Sequence, residues 1–291
     1  MRTKLDLSSL DIFRTVAAEQ SVTRASSRLG RAPSNVTTRV QQLERELGVA
    51  LFSREGKRMR LTREGEIFLS YTHRLLALAD EARSAVKPSG PAGLFRVGAM
   101  ESTAASRLPP VLARFHAAWP AVSLQLTTGG TKGLIRRLLA HELDCALIGK
   151  PPMEGIDTGY DAERLEAEHV FTEDLLIVLP SSHPPIGTAA DLRVESFAAL
   201  EPGCTYRAVA EHWAEGVKGL RVQELSSYHA MLAAVSAGNA IGVMPRSVLD
   251  LLPGGSGVQT HRLGPIETLL IRRRGEALPA FEAFRQALQE R

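Results

Sequence analysis

The sequence has little of what secreted, membrane or redox-active proteins contain. Only two of its 291 residues are cysteines, Cys145 and Cys204. No apolar run approaches the roughly 18 residues that a membrane-spanning helix needs, and the amino terminus lacks the apolar core of a signal peptide. We therefore expect a cytoplasmic protein with no membrane partner. Thiols stay reduced in that compartment, so a disulfide is not expected.

Sequence motifs of common enzymes are also missing. The eight histidines form no His-x-x-x-His pair, and no Cys-x-x-Cys occurs. Neither the Gly-x-Ser-x-Gly turn of hydrolases nor the Gly-x-x-x-x-Gly-Lys loop of nucleotide-binding proteins is present. The sequence thus predicts a protein that is not an enzyme and that needs no metal or cofactor.

Composition and length are those of a globular protein with two or three compact units. Apolar residues make up 44% of the chain and charged residues 23%, both ordinary values. The charge is unevenly spread, with a net of +6 over residues 1–87 and −3 over the remainder. A basic amino-terminal module on a mildly acidic body indicates that only the first module meets a polyanion.

Two amphipathic helices joined by a short turn are predicted between residues 21 and 48. Apolar residues recur at helical spacing in two sets: Val22, Ala25 and Leu29, then Val36, Val40, Leu43 and Leu47. The turn at residues 30–32 contains a glycine, as in a helix-turn-helix. Pro33 follows in the first turn of the next helix, where its missing N–H has no cost.

The second of these helices and the segment after it carry side chains suited to DNA. Short hydrogen-bonding groups and one arginine occupy its polar face, as a helix in the major groove requires. A basic hairpin, or wing, is predicted after Gly48, where it would reach phosphates or a minor groove. The predicted DNA-binding residues are Pro33, Ser34, Asn35, Thr37, Thr38, Arg39, Arg54, Lys57, Arg58 and Arg60. A small domain with a solvated basic face is the alternative, but the net charge of +7 over residues 20–63 favours double-stranded DNA.

A long helix is predicted after the wing, with Thr62 as its cap and an end near Val86. Its apolar residues recur at heptad spacing: Phe68, Tyr71, Leu75, Leu78, Ala82 and Ala85. The helix would either pack on its own domain or pair with the same helix of a second chain. Its length favours a homodimer, in keeping with the two-fold DNA sites that such domains bind. Residues 87–93 are rich in proline and glycine and mark a domain boundary.

Strand and helix patterns alternate beyond this hinge, which predicts a parallel α/β sheet with crossovers. Strands are expected at residues 95–99, 122–126, 145–148, 175–179, 240–244 and 268–271. Helices are expected at residues 105–118, 133–141, 205–215, 228–237 and 278–289.

The chain resembles the LysR-type transcriptional regulators over nearly its whole length. Residues 43–48 read Leu-Glu-Arg-Glu-Leu-Gly, and residues 51–65 contain the family's Leu-Phe-x-Arg and Leu-Thr-x-x-Gly motifs. Residues 143–148 and 237–245 match two further family segments. One departure is at residues 32–37, where Ala-Pro-Ser-Asn-Val-Thr replaces the commoner Ser-Gln-Pro-Ala-Val-Ser.

The resemblance implies an α/β protein whose winged helix-turn-helix, residues 1–65, is followed by a linker helix and hinge, residues 66–91. Residues 92–291 would form an effector domain with two α/β lobes, like a periplasmic binding protein. Lobe I would comprise residues 92–164 and 266–291, and lobe II residues 165–265. The resemblance also implies a dimer of dimers that binds a two-fold operator, with RNA polymerase as a further partner.

Polar clusters follow the strands of both predicted lobes, where ligands of open α/β sheets bind. The predicted effector-binding residues are Glu101, Ser102, Thr103, Thr131, Cys204, Tyr206, Arg207 and Ser227. Ordinary helix caps are the alternative explanation for these clusters. Arg207 would pair with a carboxylate, whereas Glu101 would pair with an amine or with Arg207 itself. A small charged metabolite is expected: an amino acid, an organic acid or a polyamine.

Two other functions remain open at this point. The missing signal peptide and the DNA-binding module argue against a transport binding protein. A thiol redox sensor would need an exposed, activated cysteine and a resolving partner. Cys204, in a polar segment near Arg207, meets part of that requirement, whereas Cys145 lies in an apolar run and is expected in the core.

Overall fold

The computed structural model describes residues 5–55, 58–85, 90–217 and 219–290. The chain divides into two compact units near residue 88. The division agrees with the hinge expected at residues 87–93, although residues 86–89 lie outside the described part.

The amino-terminal unit has the predicted order of three helices, a hairpin and a long helix. The elements are α1 (Leu7–Glu19), α2 (Val22–Leu29), α3 (Pro33–Leu47), β1 (Phe52–Glu55), β2 (Arg58–Leu61) and α4 (Arg63–Ala85). Asp6 begins α1 by accepting a hydrogen bond from the Ser9 N–H. Gly30 ends α2 with φ of 62°, a left-handed conformation that favours glycine.

Aromatic rings join these elements in one core. Phe13 of α1 is fully buried, and its ring centroid lies 5.3 Å from that of Phe52 and 5.2 Å from that of Phe68. Phe52 is the first residue of β1, and Phe68 lies in the second turn of α4. The wing and the base of the long helix are therefore packed on the helix-turn-helix.

The carboxyl-terminal unit alternates strands and helices, as expected. Its strands are β3 (Gly93–Ala99), β4 (Val122–Thr128), β5 (Cys145–Lys150), β6 (Leu165–Leu179), β7 (Ser196–Ala199), β8 (Arg221–Glu224), β9 (Ile241–Pro245) and β10 (Gln259–Arg273). Its helices are α5 (Glu101–Ser106), α6 (Leu108–Ala118), α7 (Thr131–Leu139), α8 (Thr205–Trp213), α9 (Tyr228–Ser236), α10 (Arg246–Leu249) and α11 (Pro279–Gln289).

The strands pair in the order β4-β3-β5-β10-β6-β9-β7-β8. The prediction of a parallel sheet was wrong for the centre, because β10 is antiparallel to β5 and β6, and β6 is antiparallel to β9. Parallel pairing holds on both sides, for β3 with β4 and β5 and for β7 with β8 and β9. The sheet is mixed because its two central strands are long and run in opposite directions.

These two strands connect the lobes. The carboxyl-terminal half of β10 pairs with β5, whereas that of β6 pairs with β9. Each strand therefore belongs to both lobes, and the lobe boundaries expected at residues 165 and 266 fall at the start of β6 and within β10.

Other local predictions also differ from the structure. The single helix expected at residues 105–118 is divided at Arg107 into α5 and α6, because Pro109 and Pro110 fit the first turn of a new helix but not a helix interior. The pattern missed β7 and β8. Both have only four residues, and every residue of β8 is exposed, so no alternation marks it.

Candidate functional sites: a DNA-binding face and an interlobe cavity

The predicted recognition helix, α3, presents most of its predicted contacts to solvent. Pro33, Ser34, Asn35 and Thr38 are exposed. Its apolar stripe, with Val36, Val40 and Leu43, is buried. As the sequence indicates, no side chain caps this helix, because Ala32 occupies the cap position. The exposed face thus consists of small polar groups on a helix that is held by its opposite side.

Thr37 and Arg39, which were predicted to face DNA, are only half-exposed. The Thr37 hydroxyl donates to the Pro33 carbonyl, 3.0 Å away, within its own helix. The charge of Arg39 acts on Asp6 at the start of α1 and contributes to the lowered pKa of that carboxyl, which mainly reflects a hydrogen bond from the Ser9 side chain. Their predicted roles as DNA contacts remain predictions.

The wing is held in place by hydrogen bonds from both ends of the helix-turn-helix. Glu44 Oε1 accepts from the backbone N–H of Leu51, at 2.8 Å, and of Phe52, at 3.1 Å. The N–H of Met59 donates to the Gln20 carbonyl at 3.0 Å. The glutamate of the Leu-Glu motif therefore connects α3 to the start of the wing.

Strands β1 and β2 confirm the hairpin, with Glu55 paired to Arg58 at its described end. Arg58 and Arg60 are exposed on β2. Arg54 belongs to β1, and Lys57 lies outside the described residues. Thr62 caps α4 as predicted, accepting from the Gly65 N–H at 3.0 Å.

The long helix α4 has an exposed apolar face. Phe68 packs on Phe13, but Tyr71, Leu75 and Leu78 are 55%, 40% and 61% exposed. Ile67 beside them is also exposed. Exposed apolar residues at heptad spacing in the middle of a 23-residue helix favour pairing with another helix over packing within the domain.

In the carboxyl-terminal unit, a cavity of about 560 Å³ opens between the lobes. Its lining comes from the ends of β3 and β4 in lobe I, and in lobe II from the segments after β7 and β8 and the starts of α8 and α9. Three carboxylates contribute to the lining: Glu101, Glu201 and Glu224. Apolar side chains, Met100, Leu200 and Leu225 among them, form part of the walls.

Three of the eight predicted effector residues line this cavity: Glu101, Cys204 and Tyr206. Ser102 and Thr103 are buried just behind Glu101 in α5. Ser227 caps α9 by accepting from the Ala230 N–H, so the alternative of an ordinary helix cap describes it. Arg207 is held outside the lining by Glu211 and Glu224 and by the Leu200 carbonyl.

Thr131 instead joins the two lobes. Its hydroxyl is fully buried, and Thr205 Oγ1 of lobe II lies 2.8 Å from it. Thr205 Oγ1 also lies 3.0 Å from the Gly149 carbonyl. Gly130 fits closely here, since a Cβ at its position would lie 3.0 Å from the Cys204 nitrogen. The backbone N–H of Gly130 donates to Glu201 Oε1 at 2.7 Å.

An ion pair on a buried glutamate joins further elements beside the cavity. Glu173 of β6, which is almost fully buried, accepts hydrogen bonds from Arg107 and from the Ser247 hydroxyl of α10. Loss of either partner would leave the buried Glu173 carboxylate with fewer hydrogen bonds.

Burial governs the protonation of the cavity groups. Partial burial raises the pKa of Glu101 above its ordinary value, although the Tyr228 N–H and the charge of His229 oppose the increase. Burial also raises the pKa of Tyr206 far above its ordinary value. The Ser102 and Thr268 hydroxyls lie beside the Tyr206 hydroxyl, yet within the described residues none of these three groups has a hydrogen bond of regular geometry.

Cys204 lies in a loop as expected, at the N-cap of α8, but it is buried in the main core of the unit. Cys145 is fully buried, as expected. Burial raises the pKa of both thiols, and a raised pKa disfavours the reactive thiolate. These surroundings argue against a peroxide-sensing thiol.

Sequence reasoning missed two of the three cavity carboxylates, Glu201 and Glu224. One follows β7 and the other ends β8, the two strands that the pattern did not predict. Recognition of those strands would have placed both residues at the carboxyl ends of strands, where ligands bind.

Comparison with known proteins agrees with this architecture. Residues 7–66 match the bacterial regulatory helix-turn-helix domain of the lysR family, and residues 88–291 match the LysR substrate binding domain. The HTH-type transcriptional regulator GltR of Bacillus subtilis is 34% identical over 96% of this chain and 95% of its own. The chain belongs to the LysR family of transcriptional regulators.

Another relative is the regulator CzcR of Bacillus thuringiensis, 33% identical over 98% of this chain and 94% of its own. Solved LysR-family structures share the fold. A full-length OxyR variant from Pseudomonas aeruginosa has a TM-score of 0.72, 22% identity and coverage of 99% of this chain and 95% of its own. CbnR complexed with its target DNA has a TM-score of 0.64 and 23% identity, with coverage of 98% and 99%.

Membership confirms the predicted family, the fold class and the function of a DNA-binding transcriptional regulator rather than an enzyme. Among the described residues, no helix is both long and apolar enough to cross a membrane. In the same part of the chain, no group of three His, Cys, Asp or Glu side chains is placed to hold a metal ion.

Proposed function

We propose that this LysR regulator acts in the cytoplasm as a homodimer joined through α4, assembles further into a tetramer, and binds a two-fold DNA site. We also propose that a small charged metabolite in the interlobe cavity controls its activity, without a metal or other cofactor. RNA polymerase is a further partner that a regulator of this kind would contact.

The observation that carries the DNA-binding mode is the exposed polar face of α3 beside the basic wing. Ser34, Asn35 and Thr38 are small enough for the helix to approach base edges, and they donate and accept hydrogen bonds. Arg58 and Arg60 would contact phosphates or a minor groove. One class of contact would select the sequence, and the other would supply affinity for any DNA.

Two variants separate these classes, measured by fluorescence anisotropy against operator and unrelated duplexes at several salt concentrations. Arg58→Ala should weaken binding to both duplexes and reduce the salt slope by about 1. Thr38→Ala should change the preference between the duplexes. Arg221→Ala, an exposed arginine of the other unit, is the control. An unchanged salt slope for Arg58→Ala would show that the wing does not contact DNA.

The exposed apolar face of α4 supports the dimer. Replacing the exposed Leu78 with glutamate would place charges in the interface between two apolar seams. Sedimentation equilibrium should then show a larger dissociation constant and weaker binding to a two-fold site. Asp80→Ala, on the same helix but outside the seam, is the matched control. If the Leu78→Glu protein assembled in the same way as the unchanged chain, the α4 interface would be refuted.

The interlobe contacts support control by a ligand. Thr131 with Thr205, and Gly130 with Glu201, make hydrogen bonds that depend on the distance between the lobes. A ligand that binds one interlobe arrangement better than another shifts the population toward it. The ligand's effect on DNA affinity is limited by that difference in affinity.

A further inference from the structure

The charge of the interlobe cavity indicates what kind of metabolite it accepts. Glu101, Glu201 and Glu224 line it, and its described lining contains no lysine, arginine or histidine. Glu101 is the most buried of the three, whereas Glu201 and Glu224 are exposed. Like charges facing one cavity disfavour an anionic occupant and favour a cationic one.

The nearest guanidinium, that of Arg207, pairs with Glu224 and with Glu211, so it offsets the charge of Glu224 but not that of Glu101 or Glu201. Arg207 donates to Glu211 Oε1 at 2.8 Å, to the Leu200 carbonyl at 2.9 Å and to Glu224 Oε2 at 3.3 Å. All three of these partners belong to lobe II. An organic acid would have to displace these partners to form a bidentate pair with it.

The cavity also offers apolar surface. Met100, Leu200 and Leu225 line it together with the carboxylates, and such side chains suit a short alkyl chain. Tyr206 lines the cavity as well, but its hydroxyl is buried beside those of Ser102 and Thr268 and is not open to the cavity.

We propose that the interlobe cavity binds a small organic cation, an aliphatic amine or diamine, with its ammonium group on Glu101 and its chain along Met100, Leu200 and Leu225. The proposal rests on the proposed function of this cavity as the effector site. One ammonium group binds Glu101, and a second binds Glu201 or Glu224. An organic cation is favoured over a metal ion because these carboxylates are not placed to share one.

The carboxylates retain capacity for such a ligand. Glu101 accepts from the Tyr228 N–H, and Glu201 Oε1 from the Gly130 N–H. Each carboxylate has two oxygens with about four acceptor sites, so one backbone partner leaves room for an ammonium group with its three donors. Because Glu201 also bonds across the cleft to Gly130, an amine that binds Glu201 acts directly on an interlobe contact.

The test is a thermal-unfolding titration of the full chain, followed by tryptophan fluorescence. The probes are 1,3-diaminopropane, 1,4-diaminobutane and 1,5-diaminopentane, with propylamine as monoamine and succinate and glutarate as anions. Tetramethylammonium chloride at equal ionic strength controls for screening. We expect saturable stabilisation by at least one amine and none by the dicarboxylates. Stabilisation by a dicarboxylate alone, or by no amine, overturns the proposal.

Variants locate the site. Glu101→Gln keeps the shape of the side chain and removes its charge, so it should weaken amine binding by about tenfold or more, the usual effect of losing a charge-assisted hydrogen bond. Glu224→Gln is a second, more exposed variant and should also weaken binding. Glu215→Gln, which removes an exposed carboxylate elsewhere in the same lobe, is the matched control. Equal affinity in all four proteins overturns the assignment.

DNA binding of the same samples separates this inference from the proposed function. If the protein binds its DNA site and responds to a dicarboxylate in place of an amine, the proposed function stands and the proposal of a cationic ligand is overturned. A protein with no DNA affinity loses the proposed function, even if the amine binds.

Discussion

Gly65 offers a sharp test of how the wing is joined to α4, because this glycine is required by packing. A Cβ at this position would lie 2.1 Å from the Leu51 carbonyl oxygen and 3.0 Å from Leu61 Cδ2. The same Leu51 oxygen accepts a hydrogen bond from the Thr62 N–H at 3.0 Å. Gly65→Ala must therefore displace backbone on the wing side of the junction.

The size of the effect follows from three terms. Forcing a methyl group into a packed site costs about 1–3 kcal/mol, and loss of the hydrogen bond to Leu51 costs about 1 kcal/mol more. Alanine gains at most about 1 kcal/mol over glycine in a helix. The net expectation is a loss of about 1–4 kcal/mol for the amino-terminal unit. For a domain of this size, each 1 kcal/mol lowers the Tm by about 4–8 °C.

Two optical probes assign the change to one unit. Both tryptophans, Trp119 and Trp213, lie in the carboxyl-terminal unit, so their fluorescence follows that unit alone, whereas far-ultraviolet circular dichroism follows both units. Gly65→Ala should lower the midpoint temperature of an unfolding transition seen by dichroism. The midpoint of the transition seen by fluorescence should not change. It should also weaken DNA binding, since the wing would lose its fixed position.

Gly133→Ala is the matched control. Gly133 is the third residue of α7, as Gly65 is the third residue of α4, but a Cβ there meets nothing within 4 Å. Without a clash, the substitution should stabilise the carboxyl-terminal unit by about 0.4–1 kcal/mol. A Gly65→Ala protein as stable as the unchanged chain would refute the steric reasoning.

Three further predictions concern buried or half-buried carboxylates. Glu44→Ala removes the acceptor of the Leu51 and Phe52 N–H groups. It should lower the free energy of unfolding by about 1–3 kcal/mol and weaken DNA binding. The control in dichroism melts is Glu46→Ala, which removes a hydrogen bond within α3. Asp144 pairs with Arg96 in the core, where burial raises the pKa of Asp144 despite the pair. Asp144→Ala should lower the free energy of unfolding by about 3–5 kcal/mol, as measured by urea unfolding followed by fluorescence. A loss no larger than that of a surface substitution would contradict the pair. The raised pKa of Glu101 means that the fold favours the protonated acid, so its stabilising contribution is complete below the ordinary pKa of 4.5 and is lost as pH rises through the folded value. Unliganded Glu101→Gln should thus be more stable than the unchanged chain at pH 7 and similar to it near pH 4, as measured by Tm; a stability difference independent of pH would show that the charge is not the cause.

Local patterns in the sequence determined the amino-terminal unit almost completely. The apolar stripes of α2 and α3, the glycine at residue 30 and the Thr62 cap act over a few residues, so their spacing alone indicates helix, turn and helix start. The alternation of strands and helices likewise predicted an α/β unit, and the family motifs predicted two lobes. These features depend on neighbours in the chain, which a sequence displays directly.

Only the tertiary structure decided the chemistry of the cavity. Glu201 follows β7 and Glu224 ends β8, two short strands that the pattern did not predict, and only the packing of the two lobes brings both residues to the same cavity as Glu101. Cys204 lies in a polar stretch of sequence, yet packing between the lobes buries it. Arg207 resembles an anion-binding residue in sequence, but Glu211 and Glu224 already engage it. Such contacts join residues that are distant in the chain, and their charges take effect only once the fold has brought them together.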